Sequence, residues 1–217
     1  MTEFDLSQTD RLLTTTKQVR QRLDLTREVP LDVLVECIEI AGHAPVGGNM
    51  ERNRWMIVTD ETKKAEIAQY YASVGRPYLS AAGTPANDRM GRVITSTNFL
   101  IDHLHEVPAL VIPLRLDRPP ATEGDRPSAS AAGYYGSVLP GVWSFQLAAR
   151  SRGLGSCWTT FHLGHEAEVA ELLGIPETVT QVALLPVAYY TGDSFRPAPR
   201  RDVREITYLN QWKQPVD

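Results

Sequence analysis

The chain has 217 residues, enough for one sizeable domain with its own core, and 42% of them are hydrophobic, which excludes wholesale disorder, collagen and coiled coil. Its 22 basic and 26 acidic side chains leave a net charge of −4, so no basic field exists to hold a nucleic-acid backbone, and nucleic acid is not expected as a partner. The longest apolar stretch, Val182 to Tyr190, is interrupted by Pro186 and falls short of the roughly 18 residues that span a bilayer; Met1 to Asp10 is polar and acidic, so no membrane association and a cytoplasmic location are expected.

Ser7 to Lys17 opens on a capping-type residue and carries Leu12 and Leu13, which predicts a first helix running into the basic cluster Lys17, Arg20 and Arg22. Pro30 occupies a first-turn position, and Leu31, Leu34, Val35 and Ile38 recur at i, i+3, i+4 and i+7, so an amphipathic helix is predicted to end near Gly42. Trp55 to Val58 reads as a strand, and Asp60 can cap a helix from Glu61 to Val74. Gly75 to Asp88 is rich in Gly, Pro, Ser and Ala and reads as an irregular connection or lid. Val93, Thr97, Leu100, Ile101 and Leu104 describe one helix face, followed by the β-run Ala109 to Leu114. Asp117 to Ala132 reads as a long loop at the edge of a site. Apolar residues at helical spacing from Tyr135 through Arg152 predict one central helix, hydrophobic nearly all round. Ser156 to Phe161 then reads as a strand or strand-edge turn, Glu166 to Leu173 as a helix closed by Gly174, and Val179 to Tyr190 as a long β-run. Helices outnumber strands without regular alternation, so the expected class is α+β.

Only two cysteines occur, Cys37 and Cys157, and both are expected as buried thiols. Neither HExxH, nor GxSxG, nor GxxxxGK[ST], nor the dinucleotide fingerprint is present, so the corresponding protease, hydrolase, phosphate-loop and dinucleotide readings have no motif. His162 and His165 lack an indicated third ligand and are expected to be solvent-facing turn residues; no metal site is expected. Cys157 with His162 forms a conceivable nucleophile and base, but a thiol between Ser156 and Trp158 is expected to be packed.

Four segments carry a stronger signal. Thr16-Lys17-Gln18-Val19-Arg20 follows the first helix; Ala44-Pro45-Val46-Gly47-Gly48-Asn49 follows the second; Leu139-Pro140-Gly141-Val142-Trp143 leads through Arg152-Gly153-Leu154-Gly155 into Ser156-Cys157-Trp158-Thr159-Thr160; and Arg196 to Arg201 follows the last strand. Together, from Thr14 to Trp212, they resemble the FMN-dependent nitroreductase family.

The first segment is similar to that family's Arg-Arg-Ser-Val-Arg box, with Thr16 and Gln18 replacing an arginine and the serine, and the resemblance makes Lys17, Gln18 and Arg20 ligands of FMN. The second resembles the loop laid over the flavin of the dimer partner, which points to Pro45, Gly47 and Asn49, although Glu51-Arg52-Asn53 replaces the usual Gln-Pro-Trp. The third places Leu139 and Pro140 against the ring and Trp158, Thr159 and Thr160 on a strand offering backbone donors beside it. The fourth supplies Arg200, with Arg201 as the alternative, to clamp the phosphate. The resemblance implies one nitroreductase-like domain over 1–217, with 75–132 as a variable lid or insert. Its three layers centre on a mostly antiparallel sheet flanked by helices, in a domain-swapped homodimer. It implies ping-pong reduction of a small nitroaromatic, quinone or related acceptor at the expense of NAD(P)H, with the flavin and no catalytic side chain carrying the hydride. The rival readings are a reductive dehalogenase or flavin-fragmenting enzyme of the same fold, and a flavin-binding protein without turnover.

Overall fold

The computed structural model describes residues 3–81, 83–121 and 127–216. In chain order the helices are α1 (Leu6–Thr15), α2 (Leu31–Gly42), α3 (Glu61–Ala81), α4 (Asp88–His103), α5 (Pro127–Gly136), α6 (Leu139–Ser151) and α7 (Glu166–Leu173). The strands are β1 (Asn53–Val58), β2 (Ala109–Arg115), β3 (Leu154–Ser156), β4 (Thr180–Gln181) and β5 (Leu185–Tyr189). Contacts divide the chain into two units, Met1–Thr16 with Ser194–Asp217, and Lys17–Asp193.

The larger unit is built on β2, whose seven residues are all buried, as a β-branched and aliphatic run covered on both faces should be. The sheet order is β1-β2-β5-β3, with β4 also on β2, and every ladder is antiparallel. The α+β expectation with an antiparallel sheet therefore holds. On one side α2 and α6 pack together, and Leu34, Cys37 and Ala41 of α2 join Val142, Phe145 and Ala149 of α6 in a core that continues into Val111, Leu154, Leu185 and Val187 of the sheet. A second group of contacts joins α3 to α4 and to the one-turn helices Leu104–Glu106 and Phe161–His165. No described helix is long and apolar enough to cross a membrane.

The long β-run predicted from Val179 to Tyr190 is two strands. Three residues, Val182 to Leu184, stand opposite two, Ile112 and Pro113, between the pairs Leu114↔Gln181 and Val111↔Leu185, which is a β-bulge. The bulge takes Leu184 out of the ladder, and its N–H and C=O bond Thr159 instead, at 2.8 and 3.1 Å.

Other boundaries shift for identifiable reasons. Helix α1 starts one residue earlier and ends two earlier than predicted, because Asp5 is the cap and accepts from Ser7 N at 2.9 Å and Gln8 N at 3.2 Å. Residues Gly75 to Ala81, read as irregular, continue α3; Pro77 sits inside it, and the turn is held by packing of Tyr78 on Phe161, ring centroids 5.4 Å apart. A Cβ at Gly75 would meet Ile101 and Phe161 at 2.8 Å, so that glycine is a close-approach position and not a break. Part of the stretch read as a loop, from Pro127, is α5, while residues 82 and 122–126 lie outside the described residues. The single helix predicted over Tyr135 to Arg152 is divided at Ser137 and Val138, since Pro140 lacks an amide hydrogen and stands in the first turn of a new helix. Of the strand or strand-edge turn predicted over Ser156 to Phe161, only Ser156 is in a strand, the end of β3, and Phe161 begins a helical turn. Helix α7 and its Gly174 cap, at φ 67°, stand as predicted.

The smaller unit contains α1 and a tail with one helical turn, Val203–Ile206, whose Asp202 side chain accepts from Arg204 N at 3.0 Å. Its Tyr208 and Trp212 rings meet at 4.7 Å, and Trp212 is 75% exposed.

Candidate functional site

Strand β3 and the residues after it gather one group of sequence-predicted positions. Val19 N donates to Ser156 O at 2.8 Å, and Gln18 forms a parallel bridge with Ser156, so the Lys17–Arg20 segment lies along the β3 edge of the sheet through a single bridge. Gly155 makes this approach feasible, because a Cβ there would lie 3.1 Å from Val19. From the other side Gln146 of α6 donates to Ser156 Oγ at 3.1 Å. Gln18 Oε1 accepts from Trp158 N, Thr159 exchanges both backbone bonds with Leu184, and Thr160 C=O accepts from Leu163 N at 3.0 Å. Among the described residues, the Thr160 N–H has no acceptor. The segment expected to offer three backbone donors therefore keeps one of them open.

Arg20 is half-buried, and its Nε is buried with no hydrogen-bond partner. Its guanidinium faces the Cys157 thiol and the Tyr71 phenol. An interior guanidinium N–H without an acceptor is costly, so this donor suits an electron-rich ligand atom. Lys17 is half-buried beside it in sequence, and Gln18 is exposed.

The second group forms at the start of α6. Gly47 N donates to Ser137 Oγ at 3.0 Å, Ser137 Oγ donates onward to Gly133 O at 2.7 Å, and Asn53 Nδ2 donates to Ser137 O at 2.8 Å. Buried Ser137 thus ties the Pro45–Asn49 loop to the corner that precedes Leu139 and Pro140. Gly48 and Asn49 both take positive φ, 62° and 52°; for Asn49 that is an uncommon backbone, of the kind found where a loop is shaped for contact. A cleft of about 470 Å³ opens here, bounded by His43, Pro45, Asn49, Glu51, Trp55 and Gly141. Leu139 is exposed and Pro140 half-buried. Arg200 and Arg201 belong to the smaller unit, where both are exposed and Arg200 Nη1 donates to Pro199 O at 3.1 Å.

A sequence profile described as the nitroreductase family matches residues 14–189. The chain belongs to the nitroreductase family. No curated protein matches the sequence. Among solved structures, the FMN-dependent nitroreductase NfnB from Mycobacterium smegmatis in complex with NADPH is 20% identical, with a TM-score of 0.67 over 95% of this chain and 100% of that one. A BluB-like flavoprotein from Clostridium difficile 630 is 16% identical, with a TM-score of 0.68 over 95% and 100%. Oxidized iodotyrosine deiodinase bound to FMN and 3-iodo-L-tyrosine is 21% identical, with a TM-score of 0.62 over 92% and 96%. At these identities the likeness shows the fold, which is nitroreductase-like.

Within this family fold the cysteine and histidine candidates resolve. Cys37 and Cys157 are free and fully buried, as expected, and burial pushes the Cys157 thiol up to about 11, with Arg20 opposing, so it stays protonated and unreactive at neutral pH. His162 departs from expectation: it is fully buried, with neither ring nitrogen hydrogen-bonded, while His165 is half-buried and contacts Ser73 at 2.8 Å and Glu168 at 3.0 Å. Burial pushes the His162 imidazole down to about 4 despite the opposing charge of Glu166.

Between an ordinary pKa of 6.5 and that value the unfolded chain binds the proton that the folded chain refuses, so stability falls as pH drops through this window. The slope attributable to His162 approaches one proton, about 1.4 kcal/mol per pH unit. Urea unfolding from pH 7 to pH 4 of the wild type and His162→Leu checks this; superimposable slopes would show that the imidazole is charged inside the fold.

Tyr71 and Ser137 were invisible as site residues in the sequence. Their partners stand 88 and 90 positions away, Thr159 for Tyr71 and Gly47 for Ser137, and neither lies in a motif. Only the topology brings them together.

Proposed function

We propose that this protein is an FMN-dependent oxidoreductase that uses NAD(P)H to reduce nitroaromatic, quinone or related acceptors. The observation that carries the reading is the buried, acceptor-less Nε of Arg20, a donor suited to an electron-rich ligand edge, on the segment that pairs with β3 just before Trp158–Thr160. FMN, when bound, supplies the hydride chemistry. Lys17, Gln18 and Arg20 together with the adjoining Trp158, Thr159 and Thr160 would hold it, with Arg200 or Arg201 as candidates for its phosphate. Fixed donors at the ring need no reorganisation as charge develops there, which is how the chain itself favours reduction.

The reading includes a two-fold homodimer in which Pro45, Gly47 and Asn49, with Leu139 and Pro140, face the flavin bound chiefly by the other subunit. Exposed Val35, Leu139 and Trp143 on the packed pair α2 and α6 support this, since a pair of exposed apolar helix faces gains from burial. It also treats the chain as one domain acting in the cytoplasm, with residues 75–132 shaping access for the acceptor.

An absorbance spectrum of the purified protein, taken after FMN is supplied and again after NADPH is added, tests the reading. Flavin bands that bleach with NADPH and return with a quinone are expected. Failure to retain FMN would overturn the reading, as would flavin bands that NADPH leaves unchanged. Light scattering at low concentration is expected to give twice the chain mass, and a monomer that keeps its FMN would contradict the shared site.

A further inference from the structure

We propose that Tyr71 is a positioning residue: its phenol donates to Thr159 Oγ1 and so commits the Thr159 hydroxyl hydrogen to an acceptor on the edge of the ring bound against Trp158–Thr160. This rests on the flavin reading above. Tyr71 lies on α3 with no exposed surface, and its hydroxyl is 2.7 Å from Thr159 Oγ1. Either oxygen is able to donate in such a pair, but the surroundings decide which one does. Among the described residues the phenol has no other hydrogen-bond partner; of the groups that act on it, Arg20 only donates and the Cys157 thiol is a weak acceptor at best. If Thr159 donated instead, the phenol hydrogen would be buried and unpaired, the more costly arrangement. Tyr71 is therefore the donor and Thr159 Oγ1 the acceptor.

The consequence falls on Thr159. Its N–H and C=O are both engaged by Leu184, at 3.1 and 2.8 Å, so its side chain is the polar group it can offer a ligand. That side chain is half-buried, on the residue between Trp158 and the open amide of Thr160. With one lone pair occupied by Tyr71, the hydroxyl hydrogen is left to point at the ligand. The matching chemistry is a planar heteroaromatic edge carrying a ring nitrogen or carbonyl acceptor. Because an electron-rich edge accepts more strongly, the oriented hydroxyl favours the reduced state of such a ring.

The test compares wild type, Tyr71→Phe, Thr159→Val, Thr159→Ser and the Tyr71→Phe/Thr159→Val double variant, each with folding checked by circular dichroism. FMN affinity is read by fluorescence quenching, and midpoint potential by spectroelectrochemical titration. Tyr71→Phe and Thr159→Val are each expected to weaken FMN by about three- to tenfold, the worth of one neutral hydrogen bond. Both should also lower the potential, and the double variant should be no worse than Thr159→Val alone. Thr159→Ser should stay near wild type. Additive losses in the double variant, or an unchanged potential in Tyr71→Phe, would overturn the proposal while leaving the flavin reading intact. A wild type that binds no FMN would overturn both.

Discussion

Arg20→Ala is expected to weaken FMN binding about ten- to hundredfold, the worth of a charge-assisted hydrogen bond of about 1.5–3 kcal/mol, and to lower the midpoint potential of the FMN that remains bound. Its Nε is already buried and unpaired, so ligand binding does not have to strip water from that atom. Its charge acts on the electron-rich reduced ring more strongly than on the oxidised one, so affinity for the reduced state falls further, and the potential records the difference. Arg20→Lys keeps a charge without the planar fork and should recover more of the potential than of the affinity. If Arg200 clamps the phosphate as proposed, Arg200→Ala should weaken both states alike and leave the potential in place. The discriminating measurement is the potential of the four proteins under saturating FMN. Equal potentials throughout would remove Arg20 from the ring and return it to the role of a structural cation beside Cys157.

The sequence announced those elements whose signals are local. Helix α2 was legible from the spacing of Leu31, Leu34 and Ile38 behind Pro30, and α7 from its run closed by Gly174. Strand β2 was legible because its residues are covered, which leaves an apolar run from Ala109 to Leu114. What could not be read depends on partners far along the chain. The bulge at Val182–Leu184 exists because Leu184 bonds Thr159, and no residue near Leu184 signals that. Continuation of α3 through Pro77 depends on Tyr78 meeting Phe161, 83 positions later in sequence. The division between α5 and α6 had a local cue, Pro140, which the continuous apolar spacing of Tyr135 to Ala149 concealed. At the candidate site, charge and glycine pointed to Arg20 and Gly47. The engagement of the Trp158 and Thr159 amides followed only from sheet pairing and from the longer reach of Gln18 where the family has serine.

Phe145→Ala is expected to cost about 3–5 kcal/mol of stability, which for a chain of this size lowers Tm by about 6–20 °C. Phe145 has no exposed surface, and its ring lies 5.2 Å from that of Trp55 at 32°, so removal leaves a void flanked by α2, β1 and the sheet. Phe145→Leu keeps most of the buried apolar area and should cost less. Calorimetry on the two variants checks the order, and a drop below about 3 °C for the alanine variant would mean that the core collapses around the gap. The loss should also reach the site by a route the hydrogen bonds define. Trp55 bounds the cleft beside Pro45 and Asn49, and without the Phe145 ring it is free to turn into the space left behind. Gln146, the next residue of α6, holds Ser156 Oγ at 3.1 Å, and Ser156 O holds Val19 N at 2.8 Å, one residue from Arg20. A shift of α6 toward the void therefore moves the segment on which Arg20 is carried. FMN affinity at a temperature where Phe145→Ala remains folded should accordingly fall as well, and Gln146→Ala, which breaks the link but leaves the Phe145 ring in place, should reproduce part of that loss with a smaller drop in Tm than Phe145→Ala.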